Sequence, residues 1–236
     1  KQKLSDERTA LNKSIRNNAI LEEDLHILES LIKKNSINVL PPIENKKNKS
    51  NNDLFISLSD FHLGMKTKNY FGSYNSKIAA ERLSTYLEKI TEIKYIHNSE
   101  NAYLLLLGDL LNGEIHFTTQ LENRENVIEQ TQKVAELISS FAYELSKKFK
   151  CVYINGVAGN HSRTSFKDNV LRNNRLDNLI PWYMKAKLSH IKNIKFIDNK
   201  NYDSTIACCD VRNKKYLMVH GYFDGFNKTG VSNLVM

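Results

Sequence analysis

The chain has 236 residues, of which 41% are hydrophobic and 25% charged, an ordinary composition for a water-soluble globular protein. No apolar run approaches the about 18 residues that a membrane-spanning helix needs, and the first residues do not resemble a signal peptide. The net charge of +8 favours a polyanionic partner, although the base composition of an AT-rich genome accounts for a chain rich in Lys and Asn equally well.

The cysteines indicate the compartment. The chain has three, two of them adjacent (Cys208 and Cys209), which does not make a disulfide framework. Cys151 and Cys208 lie in apolar surroundings that are typical of inert core thiols. We therefore expect a cytoplasmic, reducing environment. Because the chain starts at Lys1 and stops at Met236, we also expect a fragment trimmed at both ends.

The first part of the chain is predicted to form one long amphipathic helix over residues 1–34, which contain neither Gly nor Pro. Apolar residues recur there mostly at three- and four-residue intervals: Leu11, Ile15, Leu21, Leu25, Leu28 and Ile32. Such a stripe is buried either in a coiled coil, by self-association or with a partner chain, or by docking on the domain that follows. Residues 35–52 are polar, rich in Lys and Asn, and predict a linker.

From residue 53 to residue 236, apolar runs and helical patterns alternate. Strands are predicted at 54–58, 103–107, 151–154, 194–197, 204–209 and 215–219. Helices are predicted at 76–96, 125–148 and 176–188, with Pro181 in the first turn of the last one or marking its start. This alternation predicts a layered α/β architecture.

Polar side chains follow several of these strands directly. The segments are Asp60-Phe61-His62, Gly108-Asp109, Gly159-Asn160-His161 and His220-Gly221. Open α/β folds place their active sites at the carboxyl ends of the strands. Residues two apart in an extended segment point the same way, so Asp60 and His62 can share one ion. An unpaired carboxylate such as Asp109 is costly to bury, although a helix N-cap is the alternative interpretation.

The two later segments add an asparagine and two histidines. The amide oxygen of Asn160 suits a metal, while the adjacent His161 points elsewhere and suits an acid. A lone His220 at a strand end is more often a satisfied core histidine than a ligand. Four such segments in succession nevertheless indicate a metal centre.

In this order, the four segments resemble the calcineurin-like metallophosphoesterase superfamily over residues 54–221. The resemblance implies a layered α/β/β/α sandwich. It also implies that Asp60 and His62 bind a first metal ion, that Asp109 bridges both ions, and that Asn160 and His220 bind a second.

The resemblance assigns His161 a different role, as a histidine that is not a ligand and stabilises the transition state or protonates the leaving oxygen. Two divalent ions about 3.5–4 Å apart clamp a phosphoryl group and provide a hydroxide nucleophile near neutral pH. Mixed oxygen and imidazole ligands suit Mn²⁺ best here, with Fe or Zn²⁺ as alternatives.

The chain departs from the family pattern in one respect. A Gly-His-x-His segment that supplies one more ligand to each ion is absent, and we expect it downstream of Met236. The contexts of Asp60 and His161, together with the basic charge, are most similar to the DNA-repair exonuclease branch and related phage DNA phosphoesterases. That branch often has a histidine three residues after the bridging aspartate, where this chain has Asn112, with His116 close by.

These features predict a metal-dependent phosphodiesterase that acts on DNA as an exo- or endonuclease. Arg124, Arg163 and Arg175 are candidate phosphate contacts, although each alone is more often a surface salt-bridge residue. A protein or small-molecule phosphatase is the second hypothesis. The third is a coiled-coil scaffold with a vestigial phosphoesterase domain, which has no enzymatic activity.

Overall fold

A computed structural model describes residues 50–165, 174–199 and 205–221. The predicted helix at 1–34 and nearly all of the predicted linker at 35–52 lie outside the described residues. So does the predicted domain beyond residue 221. No helix in the described ranges is both long and apolar enough to cross a membrane.

The described part of the chain alternates strands and helices as the sequence predicts. The strands are β1 Asn52–Leu58, β2 Thr67–Asn69, β3 Gly72–Tyr74, β4 Ser99–Leu106, β5 Cys151–Gly156, β6 Ile194–Phe196, β7 Ile206–Val211 and β8 Lys214–Val219. The helices are α1 Ser76–His97, α2 Phe117–Glu122, α3 Val127–Ser146 and α4 Leu179–Lys187, the last preceded by a 3₁₀ turn at Leu176–Asn178.

The centre of the fold is a four-stranded parallel sheet in the order β1-β4-β5-β6. Ile56 pairs with Leu104, and Leu104 pairs with Ile154, so the apolar runs of the three longer strands stand side by side. These strands are apolar over most of their length because a parallel sheet is covered on both faces. The predicted α/β fold class is therefore confirmed as a mixed α/β fold.

Each face of the sheet packs against different elements. Tyr103 and Leu105 of β4 join Cys209 and Met218 in one buried cluster, so the antiparallel hairpin β7–β8 lies on that face. Alternate residues of a strand point to opposite faces, which turns the fully buried Leu104 toward the other side. There α1 and α4 both pack on α3, and all three helices contact the sheet. The three cysteines are free and buried, as predicted for Cys151 and Cys208.

Side-chain caps fix where the helices start. The carboxamide of Asn75 accepts a hydrogen bond from the main-chain N–H of Ile78 at the start of α1. At the start of α3, Asn126 and Glu129 form a reciprocal capping box. This box begins α3 two residues later than predicted. Pro181 lies in the first turn of α4, as predicted.

Two elements were not predicted from the sequence. The short hairpin β2–β3 and the six-residue helix α2 lie between the predicted strands and helices, where no element is predicted. In addition, β4 starts at Ser99 rather than at residue 103. Its polar first residues join the sheet because the main-chain N–H and the side chain of Asn101 both donate to the Asp53 carboxylate.

Candidate metal centre

The parallel sheet brings the first two predicted segments together. Beyond the carboxyl ends of β1 and β4, the two following segments run side by side as loops that are joined by main-chain hydrogen bonds. The N–H of Asp60 donates to the carbonyl of Gly108 at 3.1 Å, and the N–H of His62 donates to the carbonyl of Asp109 at 3.0 Å. No helix in the described ranges starts at Asp109, so the alternative of an N-cap does not hold there.

His220 enters from the other sheet, directly after β8. Its Nδ1 donates to the carbonyl of Leu107 at 2.7 Å, which fixes the ring and leaves Nε2 facing the site. That Nε2 lies 3.2 Å from Oδ2 of Asp109 and 3.2 Å from Oδ1 of Asn160. His220 is therefore not a core histidine satisfied by the main chain alone, because its second nitrogen meets two of the predicted ligands.

Asp60 and His62 form the outer side of the site. His62 Nε2 lies 3.8 Å from Asp60 Oδ1, and the hydroxyl of Ser59 donates to the same carboxylate. The side chain of Asp60 is 63% exposed, whereas that of Asp109 is 4% exposed. The cluster thus has a buried carboxylate at its base and opens to solvent beside Asp60.

The ligand atoms fall into two overlapping groups. His62, Asp109 and His161 form one, and Asp60, Asp109 and His220 form the other. Within each group the candidate atoms all lie within 4.8 Å of one another. Asp109 belongs to both groups, so its carboxylate lies within reach of both sets of donors.

The donor distances fit a divalent ion. With metal–ligand bonds of about 2.1 Å, two donors on one ion are about 3.0 Å apart at a right angle and about 4.2 Å apart when opposite. The distances of 3.2 Å from His220 to Asp109 and to Asn160 fall in that range. So does the 3.8 Å between Asp60 and His62. Carboxylate, amide and imidazole donors are those that Mn²⁺, Fe and Zn²⁺ accept.

The pKa values of these groups depend on one another. The hydrogen bond to the Asp109 carboxylate raises the pKa of His220 to about 9. Burial by itself would raise the pKa of Asp109, but the hydrogen bonds from His220 and from the His161 N–H hold it below its ordinary value. For His62, burial and then the nearby His161 lower the pKa, which favours the neutral imidazole that metals bind.

The backbone of the site is strained at three of the predicted ligands. Asp60, His62 and Asp109 have φ angles of 52°, 43° and 51°, in the left-handed region that disfavours residues other than glycine. Each such residue costs about 1 kcal/mol or more. Strain of this kind is concentrated at binding and catalytic sites, so its presence at three candidate ligands supports a functional origin.

His161 is anchored twice, through its main chain and its ring. Its N–H donates to Oδ1 of Asp109 at 2.8 Å, and its Nδ1 lies 2.9 Å from the carbonyl of Asn112. Since a carbonyl only accepts, Nδ1 carries the proton and Nε2 is left for the site. Asn112 thus orients His161 through its main-chain carbonyl.

The three predicted nucleic-acid contacts are placed differently from one another. Arg163 and Arg175 are buried and donate to main-chain carbonyls of the site loop, those of Asn160 and Gly159 respectively. Both guanidinium groups therefore stabilise the conformation of the loop that carries Asn160 and His161. Arg124 is partly buried, and its main-chain N–H bonds the carbonyl of Gly64. Contact of any of them with a phosphate stays a prediction.

His116 lies at the rim of the site. It is exposed, and its ring centroid is 5.8 Å from that of His161. Its Nε2 is 3.2 Å from Nη2 of Arg163, so it accepts from the guanidinium. Burial and then the charge of Arg163 lower the pKa of His116, which keeps this rim histidine neutral.

Asp177 is a supporting residue that the sequence did not reveal. It lies in the 3₁₀ turn before α4, is 3% exposed, and its Oδ2 accepts from the N–H groups of Asp109 and Gly159 at 3.2 and 2.8 Å. One carboxylate thereby ties the loop after β4 to the loop after β5. Burial raises the pKa of Asp177 to about 6 despite the main-chain hydrogen bonds.

Replacing Asp177 with alanine is expected to weaken metal binding about 10- to 100-fold, the usual effect of losing an outer-shell partner. The reason is that the N–H groups of Asp109 and Gly159 lose their shared acceptor. Asp177→Asn keeps an acceptor oxygen and should retain more of the affinity. Titration calorimetry with Mn²⁺ measures the difference, with the exposed Asp210→Ala as control. Equal affinity in the alanine variant and the wild type would contradict this role.

Gly159 permits the two loops to touch. A Cβ built on Gly159 would lie 2.0 Å from Oδ1 of Asp109 and 2.2 Å from its main-chain nitrogen. Gly113 is equally constrained, because a Cβ there would lie 1.9 Å from the carbonyl oxygen of His161. No side chain larger than hydrogen fits between these loops unless they separate.

Gly159→Ala is expected to lower the free energy of unfolding by about 1–3 kcal/mol through overpacking and to abolish tight metal binding, because Asp109 must move. Urea unfolding and metal titration measure the two effects. Gly72→Ala is the control, since a Cβ there meets nothing within 4 Å although φ is 141°. A Gly159→Ala protein that binds metal normally would show that the loops separate without consequence.

Comparison with known proteins does not assign the chain to a group. No protein-family model matches the chain, and no curated protein matches it either. The arrangement of the described residues therefore stands by itself: four strand-end segments, all four predicted to carry metal ligands, meet around Asp109 at the carboxyl edge of the parallel sheet.

Proposed function

We propose that this protein is a two-metal phosphoesterase of the calcineurin-like kind that hydrolyses phosphodiester bonds in nucleic acid. The observation that carries the proposal is the position of Asp109 in both donor groups, with His62 on one side and His220 on the other. A carboxylate shared by two sets of donors supports a bridging role. Two strained neighbours, Asp60 and His62, supply donors beside it.

The layered fold supports the same proposal. The described residues have helices on one face of the parallel sheet and the β7–β8 hairpin on the other. In the proposed α/β/β/α sandwich, this hairpin belongs to the second sheet and a further helical layer covers it. His220 follows that hairpin, so the site lies where the two sheets meet.

The proposed site residues divide into ligands and an acid. Asp60 and His62 would hold the first ion, Asn160 and His220 would hold the second, and Asp109 would be shared by both. Asp60 lies near His62 and also belongs to the donor group of His220. Two divalent ions, with Mn²⁺ preferred and Fe or Zn²⁺ as alternatives, would supply charge neutralisation at the phosphoryl group and a water nucleophile of lowered pKa.

His161 is proposed to act as the general acid. Its Nδ1–H is held by the carbonyl of Asn112, which aims Nε2 toward the site. For this step the ring carries a second proton, on Nε2. As a water oxygen attacks phosphorus and releases a proton to solvent, the bond from phosphorus to the leaving oxygen breaks, and the Nε2 proton passes to that oxygen. A histidine side chain is the usual group for such a proton transfer in enzymes.

A nucleic-acid substrate, with DNA preferred, is supported by charge and by access. The net charge of +8 favours a polyanion, and the site opens to solvent beside the exposed Asp60. The enzyme is an exonuclease if cleavage requires a free strand end and an endonuclease if it does not.

The test is cleavage of labelled single- and double-stranded DNA by the full-length protein with Mn²⁺, with EDTA as the negative control. We expect cleavage that needs the metal and weakens steeply with salt, because phosphate contacts release counterions. Good turnover of a phosphomonoester or a cyclic nucleotide without DNA cleavage would replace the nuclease by a phosphatase. A phosphatase should show little dependence on salt.

The non-enzymatic alternative is separated by metal content. Two ions for each chain, measured on the full-length protein, favour the enzyme. Zero ions favour a vestigial domain that serves as a scaffold.

A further inference from the structure

The tip of the β2–β3 hairpin exposes two adjacent aromatic rings. Tyr70 is 97% exposed and Phe71 is 94% exposed, and their ring centroids are 5.5 Å apart in an edge-to-face arrangement. Among the described residues, no other large apolar side chains are as exposed. Two rings held in water at a turn contribute little to folding, so their presence points to a ligand.

The base of this hairpin is attached to the candidate metal centre. The hydroxyl of Tyr74 donates to the carbonyl of Phe61, which lies between Asp60 and His62 in the chain. The guanidinium of Arg82 covers the Tyr74 ring at 5.3 Å from its centroid. Phe71 precedes Tyr74 by three positions, which span about 10 Å in a strand. The exposed rings therefore stand within the length of a few nucleotides from the ligand loop.

The charge around the rings is positive. Residues 63–80 contain three lysines and no Asp or Glu. Lys66, Lys68 and Lys77 are all exposed. Aromatic rings interleaved with lysines are typical of surfaces that bind single-stranded nucleic acid, where the rings stack on bases and the lysines follow the phosphates.

We propose that Tyr70 and Phe71 form a stacking platform for unpaired bases next to the phosphodiester held at the metal centre. This inference rests on the proposed function and specifies its substrate as a strand with unpaired nucleotides. Stacking needs no particular base, so the platform selects single-stranded character rather than sequence. A partner protein would use the rings without needing the lysines, and the test separates the two.

The experiment measures the Kd of a fluorescent single-stranded oligonucleotide by anisotropy in EDTA, where hydrolysis is prevented. Tyr70→Ala and Phe71→Ala should each raise Kd about tenfold, as expected for the loss of one stacked base. The matched control is Tyr95→Ala, which removes a 74% exposed ring beside Lys94 in the last turn of α1. This control should bind like the wild type.

An abasic oligonucleotide of equal length separates stacking from charge. The wild type should bind it about as weakly as the double variant of Tyr70 and Phe71 binds the normal strand, and the double variant should not distinguish the two strands. Lys68→Ala should instead reduce the salt dependence of binding, which the aromatic variants leave unchanged. Turnover of bis(p-nitrophenyl) phosphate should be equal in the wild type and the aromatic variants.

Two outcomes would overturn the platform. These are normal DNA binding by the double variant, or equal wild-type affinity for normal and abasic strands. If the wild type hydrolyses neither DNA nor the small diester, the proposed function fails instead. Binding that depends on the two rings would remain measurable in that case.

Discussion

Asp109→Ala is expected to lower kcat by at least about a thousandfold and to reduce the metal content below two ions for each chain. Asp109 belongs to both donor groups and lies 3.2 Å from His220, so its removal takes a ligand from each proposed ion. The change also leaves the His220 imidazole without its carboxylate. Turnover of a DNA substrate and metal content by mass spectrometry measure the two effects.

A matched control is available at the opposite edge of the same sheet. Asp53 has a side chain that is 5% exposed and pairs with Arg212, far from the carboxyl ends of the strands. Asp53→Ala should reduce stability and leave two bound ions. If Asp109→Ala kept two ions and normal turnover, the bridging role would be wrong. If both variants lost metal equally, the loss would reflect unfolding.

His161→Ala is expected to lower kcat on DNA by about 10²- to 10⁴-fold while two ions stay bound. The reason is that the proposed acid donates to the leaving oxygen and is not a ligand. A substrate with a nitrophenolate leaving group needs no such proton, so its turnover should fall much less. Comparing the two substrates in the variant and the wild type measures the difference.

The geometry also allows His161 a different role, that of a metal ligand. It shares a donor group with His62 and Asp109, and its ring centroid is 4.5 Å from that of His62. Loss of one ion in His161→Ala would make it a ligand and remove it as the acid. His116→Ala tests the neighbouring rim histidine, and the exposed His190→Ala serves as the distant control.

The central strands of this fold were predictable because their apolar runs are continuous and stand out from the surrounding sequence. Runs such as Leu104 to Leu106 are fully buried in a parallel sheet, which imposes a continuous apolar pattern. The ends of these strands then determine where the polar residues meet. Asp60, Asp109 and His220 could be placed at one edge for that reason, before any distance between them was known.

The remaining features depend on contacts that a sequence does not reveal. Asp177 lies 68 residues from Asp109 and precedes a helix, where an aspartate is typical of an ordinary cap. The burial of Arg163 and Arg175 follows from carbonyls that only the folded loop presents. The hairpin at 67–74 consists of two three-residue strands without apolar alternation. The pattern is absent because the tip of the hairpin is exposed to solvent.

The left-handed backbone at Asp60, His62 and Asp109 has a consequence for how this gene tolerates change. Glycine adopts such φ angles without penalty, so glycine at these positions would relieve the strain locally. A variant library selected only for thermal stability would therefore tolerate or enrich glycine at Asp60 and His62, where no buried ion pair is lost. A library selected for activity would reject the same substitutions. The positions that differ between the two selections would identify the site without any knowledge of the reaction.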